Sequence, residues 1–273
     1  MGEVVRHLTE EQKMLKESAA QVLADKASMA RYRELRENDQ VYDAELWKEL
    51  VELGWSAIPF SEDQGGLGLG LPEIAVVMEA LGANLAKVPM LSVLLGGVLA
   101  PEAGAAEGKV VALAHQEGKG TKKGTMPTVF EAGRLKGEKR NVLDAVAADS
   151  FVVVVGSGDD RALYLVAADD CEITALKRLD YRDAGHVHFN NAPATRLAAT
   201  AADLDSALEQ ATVALAAEML GGAQAAFAAT LSYLKERVQF DKPIGSFQAL
   251  QHRAVDCYIA LELARSAVTA AAE

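Results

Sequence analysis

Glu236-Arg237-Val238-Gln239-Phe240-Asp241-Lys242-Pro243-Ile244-Gly245-Ser246-Phe247-Gln248-Ala249-Leu250-Gln251-His252 sets an arginine, two phenylalanines, three glutamines and a histidine around a Lys-Pro-Ile-Gly turn. A helical pattern flanks it on each side. Upstream, Leu208, Thr212, Leu215, Met219, Ala223, Ala226 and Leu234 keep a helix-like spacing between Asp205 and Val238. Downstream, Leu250, Ala254, Tyr258, Leu261 and Val268 do the same, with Ser246 placed to cap that helix. Gly221-Gly222 interrupts the first pattern. Each glycine inside a helix costs roughly 1 kcal/mol, so a close backbone neighbour is expected there, either another helix or a cofactor. The last residues, Ser266 to Glu273, contain no glycine or proline. The helix therefore reads as cut in mid-run: a fragment, a frayed end, or a surface on which another chain packs.

The first hundred residues are also helical in pattern. Thr9-Glu10-Glu11-Gln12 is a capping box, in which a hydroxyl and a glutamine side chain each satisfy a free amide at a helix start. A stripe of Met14, Leu15, Ala19, Val22 and Leu23 follows. A second helix is expected from Ala44 to Leu53, stopped by Gly54, and a third, strongly apolar one from Glu73 to Leu85, opened by Pro72. Between them lies Gly65-Gly66-Leu67-Gly68-Leu69-Gly70. Its spacing is not Gly-x-Gly-x-x-Gly and no strand precedes it, so a tight turn is expected rather than a phosphate cradle.

From about Lys109 the texture changes to strands. Val110 to Ala114, Gly133 to Arg140, Phe151 to Val155, Ala162 to Val166 and Val187 to Phe189 are short β-prone runs, the last followed by an expected Asn190-Asn191 turn. Short strands between turn signals predict an antiparallel β-domain. The fold class expected is therefore α+β, multidomain, in three segments. These are an N-terminal α-helical domain over 1–104, a middle β-domain over 105–200 and a C-terminal helical domain over 201–273.

Composition narrows the function. The 273 residues carry 27 basic against 39 acidic side chains, a net charge of −12. That argues against nucleic acid as a partner, while one local basic pocket would suffice for an anionic ligand. The two cysteines, Cys171 and Cys257, make neither a disulfide framework nor a zinc pattern, and no metal site is expected. Met1 to His7 has no apolar secretory core, and Arg6 stands where a myristoylation signal wants serine or threonine. Apolar runs such as Met90 to Ala100 are too short to span a bilayer. A soluble cytoplasmic protein is the expectation.

The Arg237 to Gln248 segment closely resembles the signature of the acyl-CoA dehydrogenase family, Arg-x-x-Phe-Gly-x-x-Ile/Leu-x-x-x-Gln. The Trp55 to Gly70 region and the strands from Arg134 to Asp149 resemble that family too, as does the order of helices, β-domain and helices, and the resemblance implies a β-barrel-like middle domain over 105–200 and an incomplete four-helix bundle over 201–273. The resemblance implies FAD as cofactor, an acyl-CoA thioester as substrate and an electron-transferring flavoprotein as acceptor. It also implies a homo- or heterotetramer, in which one protomer reaches the flavin of its neighbour, and a place in fatty acid or steroid side-chain catabolism. Such chemistry needs a carboxylate base raised in pKa by burial and hydrogen bonds that stabilise the developing enolate.

Carried onto this chain, the resemblance implies that Arg237 meets the flavin diphosphate as a charge-assisted donor. Gln239 neighbours that phosphate, Phe240 lies against the adenine end, and Phe247 and Gln248 continue the contact. The alternative is that Arg237 is a helix-end cation favoured by the macrodipole and the phenylalanines are core. Asp241 departs from the usual glycine. The family's Thr-Glu-Pro-x-x-Gly-Ser-Asp loop is reduced to Ala114-His115-Gln116-Glu117-Gly118, and its Trp-x-Thr to Asn141-Val142-Leu143. The common base falls beyond Glu273, and the alternative one falls at Ala211. Glu209, two residues away, is the nearest candidate, although it points to another face of the helix. Two functions follow. One is a dehydrogenase whose base lies outside this chain. The other is a non-catalytic subunit that helps hold the FAD of a partner.

Overall fold

The computed structural model describes residues 8–117 and 127–273. Seven α-helices are present among them: α1 (Glu10–Lys26), α2 (Met29–Glu37), α3 (Ala44–Glu52), α4 (Leu71–Ala83), α5 (Met90–Leu95), α6 (Ala201–Glu236) and α7 (Gln248–Ala272). The strands are β1 (Val111–Ala114), β2 (Val129–Glu131), β3 (Arg134–Leu143), β4 (Ser150–Val155), β5 (Ala162–Ala167), β6 (Glu172–Ala175), β7 (Ala184–Pro193), β8 (Thr195–Arg196), β9 (Val238–Gln239) and β10 (Lys242–Pro243). The chain divides into two compact units, with breaks between Arg31 and Tyr32 inside α2, Gly70 and Leu71, Ala86 and Lys87, and Ala211 and Thr212 inside α6.

One unit contains α1, α4, α7 and α6 from Thr212 onward. Its α1 opens with the expected capping box: Thr9 Oγ1 accepts from the Gln12 amide at 3.2 Å and Gln12 Oε1 accepts from the Thr9 amide at 3.2 Å. Gln12 Nε2 also donates to Glu73 Oε1 at 2.8 Å, which ties α1 to the start of α4. The glycine pair in α6 has the neighbour expected of it, and the neighbour is a helix. A Cβ on Gly221 would lie 1.9 Å from the Glu79 carbonyl oxygen of α4, and a Cβ on Gly82 of α4 would lie 1.9 Å from the Glu218 carbonyl oxygen of α6. The two backbones meet at a distance that no side chain fits.

The other unit holds Tyr32–Gly70 and Lys87–Ala211. Its strands form two four-stranded sheets, in the orders β1-β4-β5-β8 and β2-β3-β7-β6. Their inward side chains share one core, including Ala112, Phe151, Val153 and Tyr164 from the first sheet and Leu135, Val142, Val187 and Phe189 from the second. The purely antiparallel domain expected from the strand pattern is corrected by β1, which runs parallel to β4. The chain visits the second sheet between them, and that excursion supplies the crossover a parallel pair requires.

The expected Asn190-Asn191 turn is instead a bulge inside β7. Leu135 pairs with Ala192 and Lys136 with Asn190, so Asn191 is left over, at φ +62°. The extra residue shifts the side-chain phase and lets Ala192 face the core beyond Val187 and Phe189. A second irregularity, between Lys139 and Val142 of β3, does the same for Val142.

Other expectations are also corrected. Phe247, not Ser246, occupies the N-cap of α7, because Ile244–Ser246 forms a single tight turn of its own. The helices α2 and α5 and the strands β2, β6 and β8 carry too little periodicity to be read from the sequence. The glycine loop is a turn, as expected: the amides of Gly66, Leu67, Gly68 and Leu69 bond back to the carbonyls of Ser61, Ala57, Phe60 and Ile58. They are therefore committed within the loop. Among the described residues α6 alone has the length and apolarity to cross a membrane, where the reading of apolar runs had found none. Ala207, Ala211, Ala214, Ala217 and Leu220 form its buried stripe.

Gly221→Ala is expected to destabilise the protein by about 2 kcal/mol, since overpacking at a closed contact outweighs the gain in helix propensity. Gly222→Ala, whose Cβ would lie 3.3 Å from the Gly82 carbonyl oxygen, is expected to be far milder. Urea unfolding of both variants checks this, and equal losses would contradict the close crossing.

Candidate functional site

The last helical bond of α6 runs from the Arg237 amide to the Tyr233 carbonyl, at 2.9 Å. The chain then makes a miniature hairpin. Gln239 pairs with Lys242 and Val238 with Pro243, leaving Phe240 and Asp241 as the two-residue turn. Their φ angles, +54° and +61°, are both left-handed, as a type I′ turn demands. Asparagine and glycine usually fill such turns. Aspartate tolerates the conformation, whereas phenylalanine is strained in it.

The hairpin is nonetheless held firmly. The Ile244 amide donates to the Arg237 carbonyl at 2.8 Å and closes the loop. Gly245 sits so close to α6 that a Cβ would lie 2.8 Å from the Leu234 carbonyl oxygen. Gln251 Nε2 donates to the Gly245 carbonyl at 2.9 Å from the first turns of α7. At the tip, the Phe240 and Phe247 rings meet edge to face with centroids 6.1 Å apart, and Lys242 Nζ lies 4.5 Å from the Phe247 ring centroid.

Of the five cofactor candidates, Phe240 and Phe247 are thus brought into contact. Arg237 and Gln239 lie on the hairpin and Gln248 is the first residue of α7. Arg237, Gln239 and Gln248 are exposed, and Phe240 is 84% exposed. Neither phenylalanine is core, so that alternative fails for both. Gln239 folds onto its own strand, with Nε2 donating to the Val238 carbonyl at 2.9 Å. The chemistry offered is a planar guanidinium able to fork onto phosphate oxygens beside an aromatic face able to lie on a flat heterocycle. A dinucleotide diphosphate with its attached base fits that donor set. Asp241 adds one opposing charge.

The β-domain segments singled out by sequence are adjacent to one another. The Arg140 amide donates to the Gln116 carbonyl at 2.8 Å, which joins the end of β1 to β3. Lys139, on the inward phase of β3, is almost fully buried and its Nζ meets Glu117 Oε1 at 2.8 Å. The same oxygen accepts from the Thr128 amide at 3.1 Å. Burial raises the Glu117 carboxyl, but the Lys139 and Thr128 bonds overcome it and hold the group below its usual range. Burial pushes His115 below the ordinary histidine range, with the Leu113 backbone opposing the shift and Lys139 adding to it. Gly118 lies outside the described residues. Sequence reasoning missed the Lys139–Glu117 pair; the one available signal was a lysine at an inward position of an alternating strand.

Ala211 is buried at 4% exposure, and Glu209 lies on the exposed face of α6. Glu218 is buried, at the glycine crossing, where its backbone carbonyl abuts Gly82.

Two family models match this chain: "Acyl-CoA dehydrogenase, N-terminal domain" over residues 9–109 and "Acyl-CoA dehydrogenase, C-terminal domain" over residues 201–273. The acyl-CoA dehydrogenase IpdE2 of Mycobacterium tuberculosis is 33% identical over 267 residues, which is 95% of this chain and 74% of that protein. The ChsE4-ChsE5 complex of the same organism contains a chain with a TM-score of 0.85 and 30% identity, over 97% of this chain and 78% of that one. A Tcur3481-Tcur3483 steroid ACAD superposes with a TM-score of 0.84 and 32% identity, over 96% of this chain and 77% of its own.

Glu117→Gln leaves the Lys139 ammonium buried without its counter-charge. A loss of about 1–3 kcal/mol is expected, below the full cost of breaking a buried pair because Glu117 keeps contact with solvent. The lowered carboxyl pKa means that the wild-type contribution is present above the ordinary glutamate range and is lost as pH falls through the lowered value. Chemical unfolding at stepped acidic pH should show a shallower decline for Glu117→Gln than for wild type.

Proposed function

Because the chain belongs to the acyl-CoA dehydrogenase family, whose members are FAD flavoproteins, we propose that it serves in the FAD-dependent α,β-dehydrogenation of an acyl-CoA thioester, with electrons passed to an electron-transferring flavoprotein. Its own contribution is the clamp from Arg237 to Gln248. The observation that carries this is the hairpin: a strained, firmly braced turn that presents an exposed arginine and an exposed aromatic ring. Residues 1–104, 105–200 and 201–273 are then the helical, β and second helical segments of the dehydrogenase.

FAD, when bound, accepts the hydride that leaves the β-carbon of the thioester. The residues here bind and orient. Arg237 holds diphosphate oxygens, Phe240 covers the adenine end, Phe247 backs Phe240, and Gln239 and Gln248 supply polar contacts at the rim. Asp241 weakens the grip on phosphate. The relatives described above include a steroid enzyme, which favours an acyl group of the steroid side-chain class over a short fatty acyl group.

The alternative, a non-catalytic subunit of a heterotetramer that helps hold the FAD of a partner, is favoured by specific positions. Leu143 offers no hydroxyl to a flavin ring, Ala211 offers no base, and Glu209 faces outward. Two of the similar solved structures carry paired names, ChsE4-ChsE5 and Tcur3481-Tcur3483. In this role the clamp completes a site built by the other chain.

The test is an absorbance scan with a size-exclusion trace, for the chain alone and co-expressed with a second dehydrogenase-like chain. Flavin absorbance that bleaches with an acyl-CoA supports the dehydrogenase. One flavin per chain in a homo-oligomer removes the partner-subunit role, and absence of flavin from every assembly removes both. Arg237→Ala is expected to lower FAD retention at least tenfold, as loss of a charge-assisted phosphate contact does. Asp241→Gly relieves the left-handed backbone and removes the opposing charge, so tighter FAD retention with unchanged or higher Tm is expected.

A further inference from the structure

The charges on the hairpin do not cancel one another. Arg237, Asp241 and Lys242 are close in sequence, yet among the described residues none of the three joins an ion pair. Lys242 instead sets its ammonium 4.5 Å from the Phe247 ring centroid. Because Gln239 pairs with Lys242, Phe240 and Asp241 alone make the turn, and both are exposed there. Asp241 holds φ +61°, a backbone that aspartate tolerates and glycine adopts without steric cost. Among the described residues its carboxylate has no partner that offsets this strain.

An unneutralised carboxylate next to an aromatic face and a guanidinium acts on any phosphate the clamp meets. The proposed reaction involves two adenosine nucleotides, FAD and CoA, and each joins adenosine to a diphosphate. Arg237 does not distinguish them, since a guanidinium forks onto either diphosphate. Phe240 does not either, since a ring lies on either adenine. The difference is on the ribose, where CoA carries a further phosphate with roughly two more negative charges at neutral pH. The ribose joins base to diphosphate. A nucleotide that spans Phe240 and Arg237 therefore brings its ribose close to the tip of the hairpin, where Asp241 stands.

We propose that Asp241 is a specificity-determining residue of the clamp: its carboxylate turns away adenosine nucleotides phosphorylated on the ribose, so that CoA does not take the place of FAD. This rests on the flavin-clamp reading given above. The carboxylate opposes FAD through the diphosphate alone and CoA through the diphosphate and the ribose phosphate together. Both lose affinity, and CoA loses more. Exposed like charges a few ångströms apart change affinity severalfold per pair, so about tenfold discrimination against the ribose phosphate is expected at low salt.

The experiment is displacement of FAD, followed by flavin fluorescence anisotropy, in the assembly that holds flavin. CoA and dephospho-CoA, which lacks the ribose phosphate, are the competitors. Wild type, Asp241→Asn and Asp241→Gly are compared at low and high ionic strength, with melting temperature as the check on folding. Asparagine keeps the side-chain shape and tolerates the left-handed backbone, so it removes the charge alone. Relative to dephospho-CoA, CoA is expected to compete about tenfold better against Asp241→Asn than against wild type at low salt. The gain should shrink severalfold at high salt, where exposed charges are screened, and Asp241→Gly should match Asp241→Asn. An unchanged ratio of CoA to dephospho-CoA, a change that persists at high salt, or a change confined to Asp241→Gly would each overturn the discrimination, while FAD binding itself leaves the flavin reading standing. Absence of FAD from every wild-type assembly overturns that reading and the discrimination with it.

Discussion

The contact on which the helical unit depends is the reciprocal approach of Gly82 and Gly221, each facing the other helix's carbonyl with no room for a Cβ. Two helices this close gain dispersion where their backbones touch. They also lose freedom to slide, because any shift along the axis brings a larger residue against backbone. The neighbouring polar groups fit that fixed register. Arg265 of α7 reaches Glu79 of α4 at 3.4 Å, and the Gln224 amide of α6 in its hydrogen-bonded orientation bridges Glu79 and Arg265 at 3.1 and 2.8 Å. A polar link of this kind adds little energy at a partly exposed site, but it fixes which turn of α7 faces which turn of α4.

The hairpin between α6 and α7 inherits that rigidity. Its strain sits in Phe240 and Asp241, and its restraint comes from Ile244, Gly245 and Gln251, all anchored on the helices. An exposed phenylalanine in a left-handed turn is a poor choice for stability taken alone. Under the proposed role the ring is in place before a ligand arrives, and side chains already ordered lose little entropy on binding. The buried Lys139–Glu117 pair has a different origin. The phase of β3 turns a lysine inward, and a carboxylate at the end of β1 supplies the counter-charge.

Much of this was legible in the sequence where periodicity or spacing was strong. The capping box at Thr9, the long runs of α6 and α7, and five of the strands follow from pattern alone. The Gly221-Gly222 pair pointed to a close backbone neighbour, a helix or a cofactor, and that neighbour is α4. What stayed hidden is physically of one kind. The helix α2 is polar nearly all round, and α5 is apolar all round and only six residues long, so neither shows a face. The bulge at Asn191 looked like a turn because the same residues favour both. The parallel pairing of β1 with β4 is a long-range event with no local signature. In the candidate site, the spacing of Arg237, Phe240 and Phe247 was readable, whereas the partner of Lys139 depends on strand phase and tertiary burial.

The parallel pairing of β1 with β4 also constrains how the molecule comes to exist. β1 cannot complete its ladder until β4, some forty residues later, has emerged, and β2 and β3 must by then lie in the opposite sheet. The sheet β1-β4-β5-β8 therefore cannot form from consecutive hairpins alone. Closing a long loop before any ladder bond rewards it makes this a slow step. During synthesis the apolar β1, Val111-Ala112-Leu113-Ala114, waits with an uncovered edge. Chaperone dependence and loss to aggregates should concentrate in that interval, before Ser150 to Val155 leaves the ribosome.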